Sequence, residues 1–340
     1  GIRYALSRPN PLIGDDMGLC KTSTSIIMAN EMQAQRMLVV CPASVRLQWQ
    51  KEVRAWSTIK KLWTYPILKS ADGVSEVANW TFISYDLLRH PSIRAALDKL
   101  RFDMLVLDEC HYLKTSDSKR TRAAFGDLAG TIEGIASLAE KVVGLTGTPL
   151  PNRPREAYML ARHMCWESID WLSEDAFQYR FNPSAKLWTG KVLEEVGRMP
   201  ELRARLRCNF MVRRLKKNVL KQLPEQQYEL TYIEPNGAIR KVLKAESLLH
   251  IDVNNLEDMD MAMRGHVATV RREMGVAKIP RIVEHVTMLL DGGLPKVVVA
   301  AYHKDVMAAL AAKLSGFGCA VITGGQTPMS REREKARFIQ

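Results

Sequence analysis

"MLVLDECH", Met104–His111, is the stretch from which the fold is read. An apolar run that breaks into two adjacent carboxylates suits a strand buried on both faces, with Asp108 and Glu109 delivered at its carboxyl tip. The plainer alternative is an acidic strand end that caps a following helix. Working outward, "RMLVVCP" (Arg36–Pro42), "WTFISY" (Trp80–Tyr85) and "KVVGLTGTP" (Lys141–Pro149) are runs of the same kind. Between them "SVRLQWQKEVRAW" (Ser44–Trp56) carries apolar residues at helical spacing, and "LLRHPSIRAALDKL" (Leu87–Leu100) does so less cleanly. Strand and helix in alternation predict an α/β fold with a parallel sheet, its chemistry on loops at the carboxyl ends of the strands.

Upstream, "GDDMGLCKTSTSI" (Gly14–Ile26) has part of what a phosphate-binding turn requires. Such a turn needs small residues, so that successive backbone N–H groups face the ligand, then a lysine for the β/γ-phosphates and a hydroxyl for magnesium. Lys21 and Thr22 fill the last two roles, behind Asp15, Asp16, Met17, Gly18, Leu19 and Cys20. The helix that starts at Lys21 would turn its N-terminus toward the phosphates. Asp15 and Cys20 stand where the general pattern has glycine, so by itself the loop reads better as a solvated turn.

The acidic strand end supplies the complement. Asp108 can hold magnesium, directly or through water. Glu109 can orient and deprotonate an attacking water, and His111 is placed to relay the state of the site. Thr146, Gly147 and Thr148 follow a strand directly and offer hydroxyls on a flexible turn, although an isolated T-G-T-P is a generic turn. The conjunction of the three, in this order, is what is specific.

Composition fits a globular chain, 46% hydrophobic and 25% charged. Its longest apolar runs are far too short to span a bilayer, and no basic-then-apolar leader opens the sequence. The six cysteines form no CxxC pair. That argues against a disulfide framework or a zinc site and for a reducing setting, cytoplasmic in a bacterium or phage-infected cell, or nuclear in a eukaryote. Lys and Arg number 49 against 37 acidic residues, a net charge of +12 that suits a polyanionic partner or, more plainly, a basic surface. From Arg203 to Lys221 there are eight basic residues and no acidic one. This run is either a brace facing DNA or another domain, or the solvated face of a helix.

Three regions are expected: 1–165 as an α/β domain, 166–290 as a helical protrusion, and 291–340 as the opening of a second α/β domain. The last rests on "KVVVAAY" (Lys296–Tyr302) and "CAVITGG" (Cys319–Gly325), read as strands. Two strands do not make a stable sheet, so the chain is expected to be a piece of a longer protein. Trp166, Trp171, Phe177, Tyr179 and Phe181 are expected in the core of the protrusion, with the Met-rich helix Glu257–Val267 packed on it.

The motifs together resemble the superfamily-two helicase-like ATPases, and within them the SWI/SNF-type DNA translocases. In that family the loop reads roughly D-[ED]-M-G-L-G-K-T, so Asp15 is expected and Cys20 alone departs. "LVVCPASVRLQWQKEVRAW" (Leu38–Trp56) is similar to the family's motif Ia, with Pro42, Ser44 and Trp49 as its marks. "FISYDLL" (Phe82–Leu88) is similar to motif Ib, and "NFMVRRLKKNVLKQLPE" (Asn209–Glu225) to the segment R-R-x-K-x-x-V-x-x-x-L-P. "VVVAAYHKDVMAAL" (Val297–Leu310) and "ITGGQTPMSREREKARFIQ" (Ile322–Gln340) resemble motif IV and the strand after it. "VRREMGVAKIPRIVEHV" (Val270–Val286) resembles the annealing-helicase, HARP-related branch.

The resemblance implies RecA-like motor domains that use ATP and magnesium to move along duplex or forked DNA without sequence preference. Within it, Arg213 and Arg214 match an arginine pair that couples the domains. Pro42, Ser44, Ser84, Tyr85, Thr323 and Gly324 would lie along the DNA. The family's adenine-reading glutamine and its arginine fingers have no counterpart here, so this chain is expected to hydrolyse ATP poorly. Two alternatives remain: a scaffold that kept the fold and lost hydrolysis at Cys20, and the motor of a restriction-type system.

Overall fold

The computed structural model describes residues 1–149, 154–181, 198–224, 227–232, 234–247 and 259–340. They divide into two compact units, Gly1–Pro224 and Glu225–Gln340. The first unit runs α1 (Ile2–Leu6), β1 (Leu12–Ile13), α2 (Lys21–Glu31), β2 (Met37–Cys41), α3 (Arg46–Trp56), β3 (Thr64–Pro66) and β4 (Trp80–Ser84). It continues with α4 (Pro91–Leu97), β5 (Phe102–Asp108), α5 (Lys119–Phe125), β6 (Ala139–Leu145), α6 (Tyr158–Cys165) and α7 (Glu174–Phe181). α8 (Met199–Asn209), β7 (Met211–Val212) and α9 (Lys216–Val219) complete it.

The seven strands form one sheet in the order β3-β4-β2-β5-β6-β1-β7, and every pair is parallel. The four strands read from the sequence are β2, β4, β5 and β6. Their residues alternate between two cores because successive side chains point to opposite faces. Met37, Val39 and Cys41 pack with Ile26, Trp49 and Val53 of α2 and α3 on one face. Leu38 and Val40 pack with Leu97, Phe125, Tyr158 and Leu206 on the other. Each fully buried aliphatic side chain there stabilises the fold by roughly 2 kcal/mol.

The expected division at residue 165 does not hold between compact units. Phe177 and Phe181 of α7, with Leu202 and Leu206 of α8, are buried in the same core as Leu38 and Val40. β7, within the stretch read as helical, pairs with β1. Trp166 packs against that core, whereas Trp171 and Tyr179 are exposed. Strands of two or three residues such as β1, β3 and β7 are too short to show a periodicity.

The second unit contains α10 (Gly237–Ser247), α11 (Met259–Asp291), α12 (Lys304–Lys313) and α13 (Pro328–Ile339). Ile239 and Val242 of α10 meet Val270 and Ala277 of α11, and Ile279 of α11 meets Val306 and Leu310 of α12. The Met-rich stretch begins outside the described residues and runs into α11. Lys296–Tyr302 and Cys319–Gly325, expected as strands, are not strands. Side chains of α13 serve part of their backbone instead: Glu334 accepts from the Val321 amide, and Arg337 and Arg331 donate to the Cys319, Thr323 and Gly324 carbonyls.

Candidate active site

Register brings the motifs together. Ile13 lies beside both Leu145 and Val212, Leu145 beside Asp108, and Cys41 beside Ser84. With all strands parallel, the loops after β1, β2, β4, β5, β6 and β7 leave the sheet at one edge, where α/β folds place their sites.

The loop after β1 closes on α2 through Gly18 and Cys20, both with left-handed backbone (φ 83° and 54°). Glycine adopts this conformation freely, whereas a residue with a Cβ pays about 1 kcal/mol. The family's glycine at the Cys20 position thus has a backbone reason. Here the conformation is over-determined by hydrogen bonds: the Cys20 carbonyl accepts from the Thr24 amide (3.0 Å), the Thr24 hydroxyl (2.9 Å) and the Ser23 hydroxyl (3.1 Å). The thiol itself is exposed.

Lys21 is the first residue of α2, and its Nζ donates to the Asp15 and Asp16 carbonyls at 2.9 and 3.2 Å. Burial pushes its ammonium below the usual lysine range, opposed by the carboxylates of Glu109, Asp15, Asp108 and Asp16. Thr22 follows on the first turn, half-buried, while Met17 is exposed at the loop tip. Asp15 faces Arg214. It is fully buried, and its carboxylate accepts from the Arg214 amide (2.7 Å), Nε (3.0 Å) and Nη2 (2.5 Å). Asp16 likewise accepts from Arg213 Nη2 (3.1 Å) and the Lys216 amide (2.9 Å).

At the tip of β5 burial pushes the Asp108 carboxyl up, against donors that favour the ionised form. Trp49 Nε1 donates to Oδ2 at 2.8 Å and the Glu109 amide to Oδ1 at 3.0 Å. Glu109 has left-handed backbone (φ 50°), and strain of this kind clusters at functional sites. Its Oε2 lies 3.1 Å from His111 Nδ1, off the line of a hydrogen bond, and is buried without a hydrogen-bond partner. His111 Nδ1 is 2.9 Å from Thr146 Oγ1, and Thr146 Oγ1 accepts from the Thr148 amide at 3.0 Å. Gly147 lies against Met17 of the loop, since a Cβ there would be 3.1 Å from Met17 Cγ. The acid pair, the histidine, the turn and the loop are thus one contact network.

Arg213 and Arg214 join that network from β7. Arg213 Nη1 donates to the Gly14 carbonyl (2.6 Å) and the Gly147 carbonyl (3.1 Å), tying the loop after β1 to the turn. The sequence offered brace or solvated face; in the structure the pair braces the loop's own acids. Of the positions expected along DNA, Ser44 is exposed and Pro42 half-buried. Ser84 and Tyr85 are corrected: both are buried, Ser84 accepting from the Leu87 amide (3.3 Å) and Tyr85 donating to the Asp108 carbonyl (2.7 Å). Thr323 and Gly324 lie in the turn before α13, in the second unit.

What the sequence did not show is the contact of Trp49, a motif Ia mark, with Asp108: a tryptophan on an apolar helix face carries no sign that its N–H reaches an acid. The aspartates Asp15–Asp16 and the arginines Arg213–Arg214 are matched pairs, but nothing in the chain pairs them until β7 lies beside β1.

Comparisons with known proteins bear on the family and the fold. The SWI/SNF-related matrix-associated actin-dependent regulator of chromatin subfamily A-like protein 1 of Xenopus tropicalis is 26% identical over 309 residues, 90% of this chain and 31% of the relative. The DNA annealing helicase and endonuclease ZRANB3 of Bos taurus is 24% identical over 325 residues, 91% of this chain and 29% of the relative. The chain therefore spans about a third of the length of these relatives. A solved Sulfolobus solfataricus SWI2/SNF2 ATPase core in complex with double-stranded DNA shares the fold, with a TM-score of 0.52 and 17% identity over 99% of this chain and 72% of that one. The family model described as the SNF2-related domain matches residues 3–281. The chain belongs to the SNF2-related domain family.

Proposed function

We propose that this chain carries the ATP-hydrolysing machinery of a translocase that moves along duplex or forked DNA without sequence preference, in repair, fork remodelling or annealing. The observation that supports it most is the buried Glu109 Oε2, which accepts no hydrogen bond, beside Asp108 at the edge where the loop after β1 ends. An orphaned carboxylate oxygen there fits a water held for in-line attack.

The residues present fit a magnesium nucleotide. Lys21, now on loop carbonyls, would turn to the β/γ-phosphates, the α2 N-terminus would face them, and Thr22 and Asp108 would hold the metal. Magnesium, when bound, offsets phosphate charge as it shifts to the leaving group. Glu109 would take the proton of the attacking water. His111 would pass the state of Glu109 to Thr146 and Thr148, and Arg213 would carry it to β7, from which Glu225–Gln340 follows. Pro42 and Ser44 would touch the DNA backbone from the first unit, and Thr323 and Gly324 from the second. Phosphate contacts would make binding salt-sensitive.

The 340-residue chain alone should turn over slowly, because this motor class works with two sheets and the described residues of Glu225–Gln340 form none. The region 291–340 is proposed as the opening of the second motor domain.

The test is ATPase activity of the complete protein with and without duplex DNA. Glu109→Gln should keep nucleotide binding and lose hydrolysis by ~10²-fold or more. Hydrolysis at the unsubstituted rate would overturn the role of Glu109. The left-handed Cys20 favours a second reading, a scaffold that binds nucleotide without turnover. Activity restored only by Cys20→Gly would establish it.

A further inference from the structure

We propose that Trp49 and Tyr85 are positioning residues that hold Asp108 in a single orientation for the metal, Trp49 through the carboxylate and Tyr85 through the main chain. This rests on the reading of Asp108 as a magnesium-holding carboxylate. Trp49 is 2% exposed, and its helix α3 packs it beside Val53, one turn on, in the core cluster of Met37 and Val39. Its indole N–H reaches Asp108 Oδ2 at 2.8 Å from the neighbouring α3. The indole is a donor only, so the contact has one polarity and needs an acceptor oxygen. It occupies one side of Oδ2, as the Glu109 amide occupies one side of Oδ1 at 3.0 Å. The remaining lone pairs are thereby fixed in direction.

Tyr85 acts on the peptide. Its hydroxyl donates to the Asp108 carbonyl at 2.7 Å, and its ring stands edge-on to Tyr112, 6.1 Å between centroids. Tyr112 in turn lies 4.6 Å from the His111 ring. The peptide that Tyr85 holds leads directly into the left-handed Glu109, so a freed carbonyl would loosen the whole acid pair. Packing alone would not demand either contact: phenylalanine would fill most of the same space without a donor.

Outer groups that orient a metal-holding carboxylate typically cost ~10–100-fold in metal affinity when lost. The experiment measures binding of a fluorescent ADP analogue to the 340-residue chain as a function of magnesium concentration. Trp49→Phe should raise the half-saturating magnesium by ~10-fold or more, with binding in EDTA unchanged. Tyr85→Phe should raise it by less. A folded Trp49→Phe or Tyr85→Phe chain with an unchanged magnesium curve overturns the role of that residue. If Trp49→Phe fails to fold, Tyr85→Phe decides. Asp108→Asn separates the two layers: should its curve shift while the other two do not, positioning fails and the metal reading stands. Should Asp108→Asn itself bind magnesium nucleotide as the unsubstituted chain does, the metal reading fails and positioning with it.

Discussion

Met37–Cys41 and Val297–Ala301 are runs of nearly the same character in opposite circumstances. The first is a strand with β4 on one side and β5 on the other, and its five side chains are fully buried between two helical layers. In the second, Val298 is 80% exposed, and Tyr302 just beyond it is 94% exposed. Neither apolarity nor branching separates them. What differs is company: a parallel strand needs neighbours to take its amides and carbonyls and helices to cover both faces. Among the described residues, Pro295–Tyr302 has a helix after it and no strand beside it. Two-residue strands in the first unit make the same point from the other side. β1 and β7 persist because each has a partner and because Arg213 and Arg214 clamp the residues that follow β1.

The comparison can be tested at both ends. The largest effect is expected from Leu107→Ala in β5, which should destabilise the first unit by about 4 kcal/mol by losing transfer energy and leaving a cavity. Val298→Ala should change the second unit by no more than about 0.5 kcal/mol. Urea unfolding followed by hydrogen exchange in each unit measures both, and equal costs would break the contrast.

Next comes Arg214→Ala, at about 3 kcal/mol, because it leaves Asp15 buried without its cation. Amides of β1 and β7 should then exchange faster than those of β2. If they remain as protected, the clamp does not hold the two-residue strands.

A pH effect of about 2 kcal/mol between pH 7 and 5 should belong to the first unit. His163 is stacked on Phe125, and burial, with Arg162 beside it, pushes its imidazole down to about 4. The unfolded chain takes up this proton near pH 6.5, while the folded chain resists it. Stability is therefore lost as pH falls through 6.5 and stops falling on this account below about 4. Acid should narrow the gap between the units, and His163→Gln should remove that part of the slope.

The smallest effect is Cys20→Gly, a gain of about 1 kcal/mol from relief of the left-handed Cβ, seen as a rise of a few degrees in Tm. A loss instead would mean that the extra freedom glycine gives the unfolded chain outweighs the relieved strain.

Much of the site was legible because it is local. Lys21 and Thr22 follow their loop directly, Asp108 and Glu109 end their own strand, and the turn Thr146–Thr148 follows the next. The wrong readings fell on residues whose setting is made by distant chain. Tyr85 at the end of β4 was expected along the DNA, but it is buried and reaches across β2 to the Asp108 carbonyl at the tip of β5. Asp15 was expected at the nucleotide and lies under Arg214, 199 residues away.

By itself the sequence determined the alternation of strand and helix, the parallel sense of the sheet and which motifs end up at one edge of it, since these depend on spacing within one element and the loop after it. Only the tertiary structure decided which runs become strands, where β7 inserts, and that Trp49, Tyr85 and Arg213 reach the candidate site from other elements. Those outcomes depend on which segments compete for the same hydrogen bonds and the same buried volume, and that competition has no local signature.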